Sequence, residues 1–143
     1  MVESAILADR KGTARTYIWV DEQDCVVAYF SLCPHEIRRD TLPKKFQHGD
    51  QFVIPAILLA RLALHTDLQG RGLGSQLLVD VLQRAVVGIH AVGGRYIVVD
   101  AIDDNATSFY AHFGFVPTPQ QHRLVMKSTT ALENLAYPDQ PDI

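Results

Sequence analysis

The sequence predicts one α/β domain in which helices flank a mixed β-sheet. Its 143 residues suit a single domain, and the 48% that are hydrophobic are enough for a globular core. A strand, a glycine-rich turn, a helix and a second strand follow one another between residues 56 and 100, which predicts a βαβ unit with parallel strands. Shorter apolar runs before and after this unit predict further strands that pair antiparallel.

The elements before the βαβ unit are short. Residues 2–9 predict the end of a short helix. Thr16–Val20 and Val26–Leu32 are rich in β-branched and aromatic residues and predict an antiparallel strand pair, which Pro34 is expected to end. Residues 35–50 have no clean period and predict a surface excursion. Four basic residues lie in this excursion: Arg38, Arg39, Lys44 and Lys45.

The βαβ unit begins with a nearly continuous apolar run, Ala56–Leu64, which is typical of a central strand buried on both faces. Arg61 interrupts this run, and because an unpaired buried charge is costly we expect it to be paired or to face a cleft. The apolar residues of 76–87 recur at helical spacing, and Tyr96–Asp100 predicts the second strand.

The elements after the unit are a helix and a terminal strand pair. Asp103 is expected to cap a helix that runs to His112. We predict that residues 1–127 form the domain and that residues 128–143 form a polar, acidic C-terminal tail.

Charge and composition exclude several classes of protein. The formal net charge is −3, which argues against a strongly basic nucleic-acid-binding domain, although a local basic surface can bind phosphates as well. Cys25 and Cys33 lack the spacing of a disulfide framework or of metal ligands, so we expect no metal site. The longest apolar run, residues 52–60, contains Pro55, and we expect no membrane segment and a cytoplasmic location.

Three glycines, Gly70, Gly72 and Gly74, stand at alternate positions between the strand and the helix. Glycine permits a tight turn and a close approach of backbone N–H groups to a ligand. Free amides at a helix N-terminus favour a phosphate or a pyrophosphate. The spacing fits neither the GxGxxG dinucleotide fingerprint nor a P-loop, which needs Gly-Lys-Ser/Thr.

Two segments resemble the GNAT family of N-acetyltransferases. Residues 69–74 (Gln-Gly-Arg-Gly-Leu-Gly) are similar to the Q/R-x-x-G-x-G/A signature that grips the pyrophosphate of acetyl-CoA, and residues 106–115 are similar to the A-x-x-F-Y-x-x-x-G-F segment. The resemblance implies the GNAT fold, with acetyl-CoA as the cosubstrate and a strand that binds its pantetheine arm. The cofactor-binding residues that it implies are Leu62, Ala63, Leu64, Gln69, Gly70, Arg71, Gly72, Leu73, Gly74 and Ser75.

Acetyl transfer from a thioester to an amine needs a proton for the departing thiolate. Tyr110 suits this task because its reference pKa of ~10 lies near that of a thiol, and the matching tyrosine of the family is the usual general acid. No general base stands out, although His65 and His112 are candidates. An α-amine, with a pKa of ~7.7–8.0, has a useful neutral fraction without a base.

A broader likeness, over most of residues 14–119, is to the toxin branch of the GNAT family. It rests on residues 14–17, 27–32, 58–63, 99–101 and 109–117. Those toxins acetylate the α-amine of aminoacyl-tRNA and are neutralised by a ribbon-helix-helix antitoxin, and the resemblance implies the same substrate and partner here. The substrate-binding candidates are Arg38, Arg39 and Arg61.

One feature departs from that family. Its members usually begin with an additional strand and helix, and only thirteen residues precede Ala14. We therefore expect either that the reading frame starts late or that the N-terminal strand is missing, in which case the exposed sheet edge favours a homodimer. Three functions stay open: a toxin-like acetyltransferase of charged tRNA, a GNAT enzyme that acetylates a small amine or a protein N-terminus, and a truncated domain that binds acyl-CoA without turnover.

Overall fold

The computed structural model describes residues 3–8, 14–49 and 51–136, which contain a seven-stranded mixed sheet and three helices. The strands are β1 (Glu3–Ala8), β2 (Arg15–Val20), β3 (Val26–Arg38), β4 (Val53–Leu64), β5 (Tyr96–Asp100), β6 (Val116–Pro117) and β7 (Arg123–Lys127). The helices are α1 (Leu73–Val92), α2 (Asp104–His112) and α3 (Ser128–Ala136). The strand order is β1-β2-β3-β4-β5-β7-β6, with β4 and β5 parallel and the other neighbours antiparallel. The predicted mixed sheet is confirmed.

Helix α1 connects the two parallel strands and covers one face of the sheet. Its apolar residues recur at helical spacing, so that one side of the helix is buried against the sheet. The buried residues are Leu77, Leu78, Val81, Leu82, Ala85, Val86 and Ile89. Gly93, with φ at 94°, ends the helix, and its backbone N–H caps the carbonyl of Ile89 at 2.7 Å.

The two faces of the sheet bury two different apolar clusters. Ile97 and Val99 belong to the larger cluster under α1, whereas Tyr96 and Val98 belong to a smaller cluster on the opposite face, because successive strand residues point to opposite faces. Of residues 35–50, predicted as a surface excursion, 35–38 instead belong to β3, and 39–49 contain two short 3-10 turns. They cover the smaller cluster by placing Leu42, which is 0% exposed, against it.

The expectation that the N-terminal strand is missing is wrong. Residues 3–8 form β1, which pairs antiparallel with all of β2 from Glu3 opposite Val20 to Ala8 opposite Arg15. The short helix predicted for residues 2–9 is therefore also wrong for 3–8, and residues 2 and 9 lie outside the described residues. A short apolar run has no decisive period of its own, and the free edge of β2 supplies the hydrogen bonds that make it a strand.

Strand β3 runs through Pro34, which was expected to end it. The last residue of β3 that pairs with β2 is Leu32, so one side of β3 has no neighbouring strand at Pro34. Proline lacks an N–H and is tolerated where a strand lies at a sheet edge. The strand therefore continues to Arg38, paired on its other side with β4.

The first nine residues of the predicted polar tail form helix α3. Ala131 of this helix is 0% exposed and belongs to the larger cluster, so Ser128–Ala136 packs with the domain. Residues 137–143 of the predicted tail lie outside the described residues. No helix in the described part of the chain has the length and apolarity needed to cross a bilayer.

Candidate active site

A cleft opens where the two parallel strands separate. The β4–β5 pairing ends at Leu59 and Val99, but β4 continues to Leu64 beside β3. The register between β3 and β4 shifts at Ala60, which has no partner between Leu59 and Arg61, and such a bulge bends its strand. The resulting cleft has a volume of about 630 Å³, within the usual range for small-molecule sites.

The walls of the cleft come from β3, β4, the glycine turn, the ends of α1 and β5, and α2. The lining residues are Tyr29, Leu59, Ala60, Arg61, Leu62, Ala63, Leu64, Gln69, Gly70, Gly74, Leu77, Asp100, Ala101, Ile102, Asn105, Ala106, Phe109 and Tyr110. Six of the ten predicted cofactor-binding residues are among them. The other four, Arg71, Gly72, Leu73 and Ser75, belong to the same turn but do not line the cleft.

The glycine turn presents backbone amides at the N-terminus of α1. Gly70 has a φ of 82° and Gly72 a φ of 77°. Residues other than glycine rarely adopt this left-handed backbone conformation. Gly72 is the helix N-cap and has no capping side chain. No described residue accepts a hydrogen bond from the N–H groups of residues 70–75. The turn therefore offers free donors and the positive end of the helix dipole to an anion.

Gln69 joins this turn to the free end of β4. Its side-chain Nε2 donates a hydrogen bond to the backbone oxygen of Leu64 at 3.0 Å. The preceding 3-10 turn, Thr66–Leu68, carries the chain from the strand to the glycines. The first residue of the recognised signature thus fixes the turn beside the cleft.

Tyr110 lies on α2 with its ring buried and its hydroxyl accessible from the cleft. The residue is 6% exposed, and its ring meets those of Phe109 and Phe115 edge-on at 5.5 and 5.6 Å between centroids. The hydroxyl has no hydrogen-bond partner among the described residues. No side-chain N or O atom of these residues is both fully buried and without a partner, so the Tyr110 hydroxyl is not fully buried. Burial raises the pKa of Tyr110 to about 12, above its ordinary value of 10.0.

Two charged side chains line the cleft, Arg61 from β4 and Asp100 from the end of β5. Arg61 is exposed within its apolar strand and lines the cleft, which is one of the two arrangements expected of it. Arg123 donates two hydrogen bonds of 2.7 Å to the Asp100 carboxylate and holds the pKa of that group below its ordinary value. Asp100 is not among the site residues predicted from the sequence, although a polar residue at the carboxyl end of a parallel strand is a signal for a ligand site.

The other predicted substrate-binding residues, Arg38 and Arg39, lie at the opposite end of β3 and β4. Arg38 forms a 3.0 Å ion pair with Asp40 and stacks over Phe52 at 5.0 Å. Arg39 donates a hydrogen bond to the backbone oxygen of Gly49. The length of strand between this group and the cleft corresponds to about 25 Å. The structure therefore does not bring Arg38 and Arg39 together with Arg61.

Neither of the two candidate histidine bases lines the cleft. His65 lies on the connection after β4, where its Nδ1 accepts a hydrogen bond from the Asp67 N–H at 3.1 Å. His112 is exposed at the end of α2, next to the ring of Phe113.

Asp103 has the capping role expected of it, because its Oδ1 accepts from the Ala106 N–H at 2.8 Å. Across the described ranges, no group of three or more His, Cys, Asp or Glu side chains is placed to hold a metal ion.

The protein is similar to a tRNA-acetylating toxin of Mycobacterium tuberculosis, at 39% identity over 110 residues that make up 75% of this chain and 66% of that relative. The chain spans about two thirds of the length of the curated relatives that it matches. Among solved structures, it is similar to AtaT complexed with acetyl-methionyl-tRNAfMet, at 28% identity and a TM-score of 0.79 over 89% of this chain and 78% of that one. It is also similar to AtaTR bound with AcCoA, at 26% identity and a TM-score of 0.72 over 87% and 73% of the respective chains.

The family assignment follows from the extent of the match. A family model for the acetyltransferase (GNAT) domain matches residues 14–117, which include the split between β4 and β5, the glycine turn and Tyr110. The chain belongs to the GNAT acetyltransferase family.

Proposed function

We propose that this protein transfers an acetyl group from acetyl-CoA to the α-amine of aminoacyl-tRNA. One observation carries the proposal: a single cleft holds the free amides of a phosphate-binding turn at one wall and the accessible hydroxyl of a buried tyrosine at another. The similarity to a tRNA-acetylating toxin and to AtaT complexed with acetyl-methionyl-tRNAfMet supports this choice of acceptor.

The glycine turn suits the pyrophosphate of acetyl-CoA. A pyrophosphate needs several donors within a short distance, and the N–H groups of residues 70–75 supply them without a side chain in the way. A Cβ at Gly70 or Gly72 would meet no atom within 4 Å, so it is the positive φ, rather than crowding, that favours glycine there. Arg71 is exposed in the same turn and adds a positive charge.

The free edge of β4 suits the pantetheine arm. Leu62, Ala63 and Leu64 line the cleft beyond the last residue that pairs with β5. A strand edge with no neighbour offers backbone donors and acceptors to an extended ligand, as it would to another strand. The arm would thus lead from the turn towards Tyr110.

Tyr110 is suited to return a proton to the leaving group. The amine nitrogen attacks the thioester carbonyl carbon, the C–N bond forms and the C–S bond breaks. Tyr110 gives its hydroxyl proton to the sulfur and regains one from the acylated nitrogen, so that the proton count balances. With a pKa of about 12, the hydroxyl is fully protonated at neutral pH. The same apolar surroundings disfavour a free thiolate, which helps to match the two groups.

The tRNA that carries the acceptor amine is bound by the basic residues Arg38, Arg39 and Arg61. Arg61 lines the cleft, which supports a contact between its guanidinium and a phosphate near the 3′ end of tRNA. Arg38 and Arg39, about 25 Å away along the sheet, lie within reach of a substrate as large as tRNA but outside the reach of a small amine. Binding of tRNA is therefore expected to weaken with salt, since phosphate contacts release counterions.

Incubation with radiolabelled acetyl-CoA tests the proposal directly. The acceptors are a mixed pool of charged tRNA, the same pool after deacylation, and a panel of small amines and peptide N-termini. We expect label on the charged tRNA alone. Label only on small amines would instead establish a GNAT enzyme of small molecules, and acetyl-CoA binding with no label would establish a domain without turnover.

Three further expectations belong to this proposal. The toxin-like function places the protein in the cytoplasm, where charged tRNA is found, and implies a ribbon-helix-helix antitoxin as a partner. Strand β1 ends the described sheet, so its outer edge is available for a homodimer. Sedimentation of the protein alone, and of the protein with a candidate antitoxin, tests both associations.

A further inference from the structure

The cleft contains one carboxylate among its described lining residues. Its ionisable side chains are those of Tyr29, Arg61, Asp100 and Tyr110. Of these, Asp100 alone carries a negative charge at neutral pH. The acceptors of N-acetyl transfer are amines that are wholly or partly protonated at that pH, and a carboxylate is the natural partner of such a group.

Asp100 is held in position by residues of two other strands. Arg123 of β7 donates from Nε and Nη2 to the two carboxylate oxygens, each at 2.7 Å. The Nη1 atom of the same guanidinium lies 3.2 Å from Nε2 of His35 on β3. Because arginine can only donate, His35 accepts through Nε2 and carries its own proton on Nδ1. The Asp100 carboxylate is therefore both ionised and fixed in orientation.

This carboxylate still has capacity for a ligand. Each oxygen accepts one hydrogen bond from Arg123, and each can accept a second. The Asp100 side chain is 51% exposed, whereas the Arg123 side chain behind it is 24% exposed. The carboxylate is thus the more accessible member of the pair, and Asp100 itself lines the cleft.

We propose that Asp100, positioned by Arg123 and His35, binds the protonated α-amine of the acceptor at the mouth of the cleft. This inference rests on the proposed function and names how the acceptor amine is recognised. The amine loses one proton to solvent before it attacks, and its remaining N–H bonds still donate to the carboxylate. The contact therefore stabilises the ground state and the transition state to a similar extent. Its loss is expected to raise KM more than it lowers kcat.

A purely structural role for Asp100 makes different predictions. The Asp100–Arg123 pair also ties β5 to β7, which are neighbours in the sheet. If that were its whole role, a substitution would lower the stability of the fold or weaken the binding of all ligands alike. If Asp100 recognises an ammonium group, a substitution instead weakens the binding of ligands that have an amine and leaves the binding of other ligands unchanged.

The experiment compares two ligands that differ in that amine alone. One is a charged tRNA pool, and the other is the same pool esterified with the corresponding 2-hydroxy acids. Binding is measured at equilibrium in the Tyr110→Phe background, which prevents turnover. We expect about a tenfold preference for aminoacyl-tRNA, the size of a charge-assisted hydrogen bond that is partly exposed. Asp100→Asn is expected to abolish the preference without changing affinity for the hydroxyacyl-tRNA.

Two further variants complete the test. Asp100→Glu keeps the charge and is expected to retain most of the preference. Asp104→Asn removes a carboxylate from α2 that bonds His122 at 3.0 Å outside the cleft, and is expected to keep the full preference. Thermal unfolding of each variant identifies any that has lost its fold.

The outcomes separate this inference from the proposed function. No preference in the Tyr110→Phe protein with Asp100 intact overturns the inference even if every other variant misfolds, and so does a full preference retained by folded Asp100→Asn. Failure of the proposed function appears separately, as the absence of acetyl transfer from the wild-type protein to charged tRNA.

Discussion

The two ends of the β4–β5 pair differ in what covers them. At the start of β5, residues 39–49 fold over the sheet and bury Leu42 and Phe46 against Tyr96. At the end of β5, β4 continues beside β3 but without β5, and Arg61 and Asp100 line an open cleft. The difference shows that the covering connection and the length of the neighbouring strand decide which end can bind a ligand.

The largest expected effect distinguishes the two buried tyrosines at these ends. Tyr110→Phe removes the accessible hydroxyl and is expected to lower kcat by about 10²- to 10⁴-fold. Tyr96→Phe, at the covered end and 3% exposed, is the matched control and is expected to leave kcat unchanged. Steady-state kinetics on the acceptor identified by labelling measure both. Equal losses in the two variants would contradict the assignment of Tyr110 as the proton donor.

A second prediction concerns stability at the covered end. Leu42→Ala deletes a fully buried side chain and leaves a cavity, which is expected to cost about 2–5 kcal/mol in the free energy of unfolding. Arg61→Ala, at the open end, changes an exposed side chain and is expected to stay within about 0.5 kcal/mol of wild type. Urea denaturation compares them. A large loss for Arg61→Ala would mean that the open end is packed like the covered one.

A third prediction uses two glycines with positive φ. Gly72→Ala in the turn and Gly49→Ala in the covering connection place a Cβ in open space but in a strained backbone, with φ at 77° and 108°. Each is expected to lose about 1–2 kcal/mol of stability. Gly72→Ala alone is expected to raise KM for acetyl-CoA, by about tenfold, because the amides move from their positions. If KM rises equally in both variants, the turn is not the pyrophosphate site.

The smallest expected effect is the pH dependence of the Asp100–Arg123 pair. The pKa of Asp100 is lower in the folded protein than its ordinary value of 3.8 because Arg123 donates to the charged form. The pair therefore contributes stability above about pH 4, and this contribution is lost as pH falls through the folded-state pKa. Since the carboxylate is half exposed, the contribution is expected to be below about 1 kcal/mol.

Denaturation of wild type and Asp100→Asn between pH 2.5 and 6 measures this contribution. The wild type is expected to be the more stable of the two at pH 6, and the gap is expected to narrow towards the acid end of the range. A gap that is constant with pH would mean that the ionised form of Asp100 has no special stabilisation in the fold.

Local signals in the sequence correctly predicted the βαβ unit, the glycine turn and the cap at Asp103. Each depends on neighbours a few residues apart: the period of apolar residues, the positive φ of glycine and the reach of an aspartate to the third amide. Local signals of the same kind predicted a helix where β1 lies and an end of β3 at Pro34, and both predictions are wrong. Both outcomes depended on β2. This strand supplies the edge with which β1 pairs, and its pairing with β3 ends at Leu32, before Pro34.

The candidate site was predicted in part for the same reason. Tyr110 and the glycine turn lie in segments that resemble a family, so their place in the cleft followed from sequence. Residues 99–101 also belong to the resemblance, but it implied no role for Asp100, because the importance of this residue comes from Arg123 and His35, which are far from it in the chain. Arg38 and Arg39 share a basic character with Arg61, but the length of the strands separates them from it.

The sequence by itself determined which segments are apolar, where the backbone must turn and which residue types stand at the carboxyl ends of the parallel strands. Tertiary structure alone decided that β4 outlasts its pairing with β5, that residues 39–49 cover one end of the sheet and that Arg123 reaches Asp100. The reason is physical: conformational preference and burial period are properties of a short segment, whereas strand pairing and charge pairing depend on which distant groups are available as partners.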